Sequence, residues 1–436
     1  MRITVVGTGY VGLVSGTCFA EFGYKVTCVD KDSQKIDLLN AGGIPIFEPG
    51  LEDLVRKNVK AGRMSFTTDM ASAVAESEIV FIAVGTPSRR GDGHADLSYV
   101  YAAAEEIAQS IQGYTVVVNK STVPVGTGRK VAEIIAKYHG NEKFSVASNP
   151  EFLREGSAIE DFMRPNRVVI GVEDTRAAEV MQQLYRPIST GGVPLVVTSR
   201  ESAEVIKYAA NAFLATKVAF INEMADLCEQ VGADVKEVSR GMGLDHRIGA
   251  AFLNAGPGYG GSCFPKDTRA LVQTAREHAV SLSIVESVVT SNDQRKHRMA
   301  ARILDLLGDP KGKKIALLGA TFKPDTDDMR ESPSLDIVPQ LVAAGVQVTV
   351  CDPQAYKEGQ TLLPNVIWAV EVREAVQGAD AVVLLTEWKE FAALDWNALK
   401  EIMRGNTFID LRNVYVPKEM TQTGLNYYSI GRPKSS

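Results

Sequence analysis

Short β-rich runs alternate with helical patterns from the first residue of this chain, and they do so again at its other end. RITVVG, YKVTCVD, EIVFIAVG, TVVVNKS, FSVASNP and RVVIG follow one another over residues 2–171. Alternation of this kind predicts a parallel sheet wrapped by helices, because parallel strands need a crossover and a helix supplies it. After GDPKGKK (308–314), a polar Gly/Pro/Lys stretch that reads as an interdomain linker, strands resume as KIALLGATF, VQVTVCD, DAVVLLTEW and TFIDLRN. The two ends form a weak internal repeat. ITVVGTGY matches IALLGATF and GYKVTCVD matches GVQVTVCD, with about ten more loop residues between Gly319 and Asp352 than between Gly7 and Asp30. Between them ESAEVIKYAANAFLATKVAFINEMADLCEQVG carries apolar residues at three- and four-residue spacing without an interior Gly or Pro. That pattern predicts one long helix, buried over much of its length. The expected fold is therefore α/β: two Rossmann-like, doubly wound parallel-sheet domains joined by a long central helix and a helical middle domain. The expected boundaries are 1–198, 199–307 and 308–436. Ligands of such sheets bind beyond the carboxyl ends of the strands, so two such domains can enclose one cleft.

Size and charge narrow the function. The 436 residues suit two or three domains with ample core, and 47 basic against 53 acidic side chains give a net charge of −6. No broad nucleic-acid footprint is expected from that balance, and an anionic ligand must be held by local cations and backbone amides. MRITVVG begins directly on a strand, which leaves no room for a signal peptide. The best apolar run, AFLATKVAFINEM, is broken by Lys217 and Glu223, so no membrane span is expected. A cytoplasmic, reducing setting follows. Five scattered cysteines make no disulfide framework and no zinc spacing, and no metal is expected.

The first strand ends in a glycine fingerprint. Gly7, Gly9 and Gly12 form GxGxxG between ITVV and an apparent helix. The spacing fits a tight turn, a close backbone approach to a pyrophosphate, and close helix packing. Asp30 closes the next strand, where a carboxylate can accept the adenosine ribose hydroxyls and repel a 2′-phosphate. NAD is the expected cofactor, although Lys31 and Lys35 lie close by. AVGTP and NKSTVPVGTG end two further strands, so Thr86, Ser121 and Thr122 either line the nicotinamide region or serve only as turn residues.

Cys18, Cys28, Cys228 and Cys351 lie in periodic apolar segments and read as small core residues. Cys263, in GYGGSCFPKD, does not. Pro265 suits the first turn of a helix PKDTRALVQTAREHA, which places Cys263 just ahead of a helix amino end. The helix dipole and Lys266 favour a thiolate there, Asp267 opposes it, and the bare glycines leave room for a substrate beside the sulfur. Lys207 and Asn211, four apart on the long helix, share one face, either as a solvated stripe or as a pair that holds a hydroxyl and then its oxyanion. The apolar neighbours Ile206, Ala210 and Phe213 argue for the second.

Taken in order, GTGYVG, VGTP, STVPVGT, NPEFLREG, KYAAN, GPGYGGSCFPKD and FKPDTDDMRESP resemble the UDP-glucose/GDP-mannose dehydrogenase family over essentially the whole chain. The resemblance implies two successive NAD-dependent oxidations of a primary alcohol on a nucleotide sugar, giving a uronic acid. It makes Cys263 the residue that holds the intermediate as a thiohemiacetal and then a thioester. Lys207 and Asn211 are implied to stabilise oxyanions, Asp267 to handle protons or orient the hydrolytic water, and Thr122 and Glu151 to arrange that water. On the cofactor it places Gly7, Gly9, Tyr10, Val11, Gly12, Asp30, Lys35, Thr86, Thr122, Glu155, Cys263, Lys266 and Arg330. On the substrate it places Glu151, Phe152, Leu153, Arg154, Glu155, Lys207 and Asn211, then Phe252, Asn254, Gly258, Tyr259 and Gly260, with Phe322, Lys323 and Arg412 from the carboxyl-terminal domain. Arg247 is implied to reach the substrate of a partner subunit in a homodimer formed through the long helix.

FLNAGPGYGG and KYAANAFLATK resemble the UDP-glucose branch, so UDP-glucose is the implied substrate. The same chemistry on GDP-mannose or a UDP-N-acetylhexosamine stays open. A single-step hydroxyacid dehydrogenase would also pair a Rossmann domain with a Lys-xxx-Asn helix, but it leaves Cys263 and residues 310–436 without a purpose. A non-enzymatic NAD sensor is the remaining alternative. None of the histidines, His94, His139, His246, His278 and His297, falls in a motif, and they read as surface or packing residues.

Overall fold

Strands that are buried at every position mark the sheet centres: β-branched and aliphatic runs with no polar alternation pack helices on both faces. In the first unit the strands are β1 (Arg2–Val6), β2 (Lys25–Val29), β3 (Met64–Thr67), β4 (Ile79–Ile82), β5 (Thr115–Asn119), β6 (Phe144–Ser148), β7 (Val168–Gly171) and β8 (Leu195–Thr198). Every residue of β4, β5, β6 and β7 is buried. The computed structural model describes residues 1–87 and 95–433, and His94 lies outside them. Two compact units make up the chain: Met1–Ala210 with Arg276–His278, and Asn211–Ala275 with Ala279–Ser436.

The first sheet runs β3-β2-β1-β4-β5-β6-β7-β8. It is parallel except where β6 meets β7, antiparallel through Ser148 and Gly171. The second unit holds β9 (Lys314–Leu318), β10 (Gln347–Cys351), β11 (Ile367–Ala369), β12 (Ala381–Leu384), β13 (Thr407–Asp410) and β14 (Asn426–Ser429) in the order β11-β10-β9-β12-β13-β14. Strand for strand this is the order of β1–β6, so the repeat in the sequence is a repeat of topology. Its details agree: Gly7 N–H donates to the Val29 carbonyl at 2.7 Å, and Gly319 N–H to the Cys351 carbonyl at 2.8 Å. The sequence runs give no sign of β3, β8, β11 and β14. These are short strands at or near the sheet edges, and edge strands lack the continuous apolar signal of central ones.

The long helix spans Arg200–Val231, and the division between the two units falls within it. It is less buried than its apolar content suggests. Phe213, Phe220, Leu227 and Val231 are exposed, Phe213 by 66%, so Phe213 does not enclose the Lys207/Asn211 face. Those two residues are nevertheless buried, Lys207 within the first unit and Asn211 within the second. Among the described residues no helix is long and apolar enough to cross a membrane.

Candidate active site

The glycine fingerprint folds as its chemistry requires. Gly7 has φ +102°, and a Cβ there would lie 2.5 Å from the Ala83 carbonyl oxygen. A Cβ at Gly12 would lie 1.9 Å from the Gly7 carbonyl oxygen, whereas one at Gly9 would meet nothing within 4 Å. Gly9 is thus the open cradle, set at the start of helix Tyr10–Glu21 without a side-chain cap. Backbone amides at such a start suit a pyrophosphate. Asp30 Oδ2 accepts from Thr8 N–H (2.8 Å) and Thr8 Oγ1 (2.7 Å), and Oδ1 accepts from Asp32 N–H at 3.1 Å. Burial pushes its carboxyl up, but these hydrogen bonds outweigh burial and hold it below the usual range. Lys35, on the following helix, adds a smaller pull in the same direction. The equivalent acid of the second unit, Asp352, is filled by protein donors: Ala320, Thr321, Gln354 and Ala355 amides, the Thr321 hydroxyl and the Trp388 indole. Asp352 is buried, whereas Asp30 is half-buried and its Oδ1 takes a single protein donor.

Tyr10 and Val11 follow the cradle. The Tyr10 hydroxyl is turned to Glu48, a buried carboxylate that also accepts from Gly156 N–H (2.6 Å) and Ala158 N–H (2.7 Å). Glu48 thereby ties the glycine-loop helix to the 151–158 segment, where Glu155 is half-buried.

At the ends of β5 and β6 the first unit gathers several of the expected residues. Lys207 and Glu151 form an ion pair of 3.1 Å with side chains 3% and 6% exposed, and Lys207 lies 5.3 Å from the centre of the Phe152 ring. Glu151 also accepts from Leu153 N–H. A small cavity is lined by Asn119, Ser121, Thr122, Ser148, Glu204 and Lys207. Thr86 Oγ1 donates to the Thr122 carbonyl at 3.0 Å, fixing these two loops together. The Ser121 hydroxyl donates to the Val84 carbonyl at 2.7 Å. Arg154 forks onto Asp161 and lines a different cavity, with Glu48 and Lys57.

In the second unit, Cys263 immediately precedes helix Phe264–Glu277 and is half-buried, with Ser262 Oγ 3.6 Å from its sulfur. The other four cysteines are buried, and burial pushes Cys18, Cys28 and Cys351 up to about 12. They stay thiols at neutral pH. Asp267 is 1% exposed and accepts from Asn211 Nδ2 (2.6 Å) and from Lys266 Nζ (2.6 Å). The Lys266 ammonium is thus paired with Asp267 at the start of the same helix.

Two of the glycines before Cys263 allow a close approach of a neighbouring loop. A Cβ at Gly260 would lie 2.3 Å from the Glu331 carbonyl oxygen, and one at Gly261 2.7 Å from the Phe322 ring. They admit the 322–331 loop against the cysteine loop, and Gly261 N–H donates to the Arg330 carbonyl at 2.8 Å. Asn292 clasps Tyr259 through both its N–H and carbonyl, while Asn222 and Arg295 hold Gly256. Gly258 sits beside the same Asn292. Phe252 adopts φ 64° and packs on Phe264 at 5.8 Å, and Asn254 is exposed.

Three of the expected basic residues are engaged. Arg412 donates to the Leu385 (2.7 Å) and Phe322 (3.0 Å) carbonyls and pairs with Glu387. Arg330 forks onto Asp328. Arg247 pairs with Asp245, its side chain 79% exposed. Lys323 lies 5.4 Å from the Phe322 ring centre. His139 Nε2 donates to the Ala108 carbonyl, and His246, His278 and His297 are exposed.

Residues that the sequence did not single out carry much of this geometry. Glu204 accepts from Gly126 N–H (2.7 Å), Gly128 N–H (2.8 Å) and Ser148 Oγ (2.9 Å). Burial pushes its carboxyl up, against the pull of those donors. It pins the STVPVGTG loop to the long helix one turn before Lys207. An acid inside an apolar helical face is the signal that could have found it.

Comparison with known proteins places this geometry. The NAD binding domain of the UDP-glucose/GDP-mannose dehydrogenase family matches residues 1–189, its central domain 201–294 and its UDP binding domain 316–417. The chain is 58% identical to the UDP-glucose 6-dehydrogenase of Rhizobium meliloti strain 1021, over 99% of this chain and 100% of that protein. It is 49% identical to the UDP-glucose 6-dehydrogenase TuaD of Bacillus subtilis strain 168, over 99% and 93%. Among solved structures, a UDP-glucose dehydrogenase from Pyrobaculum islandicum aligns with a TM-score of 0.90 at 38% identity, covering 98% of this chain and 96% of the other. With the dinucleotide cradle, the cysteine at its helix start and all three family segments in place, the chain belongs to the UDP-glucose/GDP-mannose dehydrogenase family and is an NAD-dependent enzyme.

Proposed function

We propose that this protein oxidises the C6 alcohol of UDP-glucose to the carboxylate of UDP-glucuronate, in two hydride transfers through a covalent intermediate on Cys263. The observation that carries the reading is the half-buried Cys263 at a helix start, beside the buried Asn211–Asp267–Lys266 network. NAD, when bound at the Gly7–Gly12 cradle and Asp30, accepts one hydride in each oxidation. After the first, the Cys263 sulfur adds to the aldehyde carbon, and a C–S bond forms as the carbonyl oxygen takes up a proton. The second removes the remaining hydride from that carbon while the hydroxyl proton is released to solvent, and leaves a thioester. Water then attacks: a C–O bond forms, the C–S bond breaks, and the thiolate returns. Lys207 and Asn211, four residues apart on one helix, offer donors to the oxygen on which charge develops. Asp267 and the Thr122/Glu151 pair take and orient protons of the attacking water. A free aldehyde could diffuse away, whereas the thiohemiacetal cannot.

The remaining cofactor and substrate positions inferred from the family motifs belong to this proposal, as do the domains 1–198, 199–307 and 308–436. Their support is the match of three family segments to corresponding stretches. The test is a count: with limiting UDP-glucose and excess NAD, two NADH per sugar and a uronate product are expected. One NADH per sugar would sink the reading in favour of a single-step dehydrogenase, and turnover of GDP-mannose in preference to UDP-glucose would move the substrate within the family. The 58% and 49% relatives favour UDP-glucose.

A homodimer is part of the same reading. Phe213, Phe220 and Leu227 recur at seven-residue spacing along one exposed stripe of the long helix, a spacing that suits helix-to-helix packing. Arg247, exposed and paired with Asp245, would leave that carboxylate to reach the partner's substrate. Phe213→Glu/Phe220→Glu should halve the mass seen in light scattering and lower activity with it. A wild-type protein that runs as a monomer at assay concentration removes this part.

A further inference from the structure

Lys120 follows β5 and is among the most deeply buried cations of the first unit, 4% exposed. Its ammonium donates to Asn149 Oδ1 at 3.0 Å and to the Tyr185 hydroxyl at 3.2 Å, and it lies 5.8 Å from the centres of both the Phe162 and Tyr185 rings. None of these is a carboxylate. A buried charge whose direct hydrogen-bond partners are all neutral is costly, and a chain that keeps one without a use would gain from replacing it.

Its position gives the use. Lys120 is followed at once by Ser121 and Thr122. Its partner Asn149 is followed by Pro150 and Glu151. Asn149 is itself locked, with Nδ2 on the Val169 carbonyl (2.7 Å), its N–H on the Asn119 carbonyl (2.8 Å) and Oδ1 shared with Tyr185. The ammonium is the common point of the ends of β5 and β6. The charged groups that act on it are Glu151, which favours the ammonium, and Lys207, which opposes it. Tyr185 contributes a neutral hydroxyl, its own ionisation pushed up by burial.

We propose that Lys120 is a positioning residue for the reaction: it fixes the ends of β5 and β6 so that Thr122 and the Lys207-bound Glu151 keep their places, and it shares with Lys207 the positive charge that faces Glu151. This rests on the role given to Thr122 and Glu151 in the proposed reaction. Burial, the larger influence, lowers the ammonium to about 8, against the opposing pull of Glu151. The folded protein therefore gives up this proton more readily than the unfolded chain. Between pH 8 and the ordinary lysine value near 10.5 the unfolded state binds more protons, so stability gains with rising pH in that window, and below it the contribution is flat.

The experiment uses the full-length protein. In Lys120→Met, kcat with UDP-glucose and NAD should fall about 10- to 100-fold, the scale on which a displaced reacting group acts, while KM for NAD stays within about twofold. The pH-linked gain in stability from 8 to 10.5 should vanish in the same variant. Lys120→Arg, which keeps the charge but not the fit, should recover only part of kcat. Tyr185→Phe, which removes one acceptor and leaves the strands intact, should lower kcat severalfold at unchanged KM for NAD. If Lys120→Met does not fold, Tyr185→Phe decides. A folded Lys120→Met or Tyr185→Phe with wild-type kcat overturns the proposal. Wild-type turnover, measured alongside, reports the parent reading separately: a wild-type protein inert towards UDP-glucose sinks that reading, and the stability slope still tests the buried ammonium.

Discussion

Cys263→Ser is expected to lower steady-state turnover by at least about 10³-fold, the scale on which loss of a nucleophile acts. The geometry says where it stops. Cys263 stands at the start of helix Phe264–Glu277, where the dipole favours a thiolate but does little for a hydroxyl whose ordinary ionisation lies far above neutral pH. A serine there still meets the aldehyde, yet its addition needs a base, and an ester formed from it must expel an alkoxide, a far poorer leaving group than a thiolate. The variant should therefore release at most one or two NADH per active site and then stall, with the sugar retained on the protein in intact-mass spectra if the ester forms. Cys263→Ala should show no covalent retention. Rapid multiple turnover by the serine variant would remove the covalent mechanism. Because Lys266 is already held by Asp267 at 2.6 Å, Lys266→Met should cost much less than the serine change if the helix start is the main influence on the sulfur.

What could be read from the sequence follows from the range of the interactions involved. The central strands, the Gly7–Gly12 loop, the long helix and the exceptional cysteine are local patterns, each spelled within a few turns of chain. Glu48 was silent because its partners are Tyr10, Gly156 and Ala158, the last two more than a hundred residues away. Lys120 was silent for the same reason: in NKSTVP it looks like a polar strand end, and only the fold brings Asn149 and Tyr185 around it. The glycines of GYGGSC read as space for a ligand, and at Gly260 and Gly261 a Cβ would meet the 322–331 loop. A glycine announces that something approaches its backbone but not what. Arg412 and Arg330 are placed at ligands by the resemblance alone, and the carbonyls and the carboxylate that hold their guanidinium groups lie outside their own motifs or are invisible as partners within them. The apolar stripe of the long helix gave the opposite error, since periodicity reports a face that wants burial without saying whether this chain or another covers it.

Lys207→Met is expected to damage stability and activity together, and a second substitution should separate the two. Lys207 and Glu151 pair at 3.1 Å with almost no exposure on either side. Removing the ammonium alone leaves a buried carboxylate without its ion-pair partner, a change that costs about 3–5 kcal/mol. Glu151→Gln alone takes the carboxylate away from a buried ammonium and should also cost stability. The double variant Lys207→Met/Glu151→Gln replaces the pair with two neutral side chains of similar size, so most of the lost stability should return, and the pair's coupling appears as the difference between the double variant and the sum of the singles. Urea unfolding of the four proteins measures it. Activity should not follow stability back. A methionine offers no donor to an oxyanion and a glutamine cannot take a proton from water, so the double variant should stay about 10²- to 10⁴-fold below wild type, the range for losing a positioned acid–base group. If the double variant recovered stability and activity alike, the pair would be a folding device only, and the oxyanion role of Lys207 would have to pass to Asn211 and its own network with Asp267.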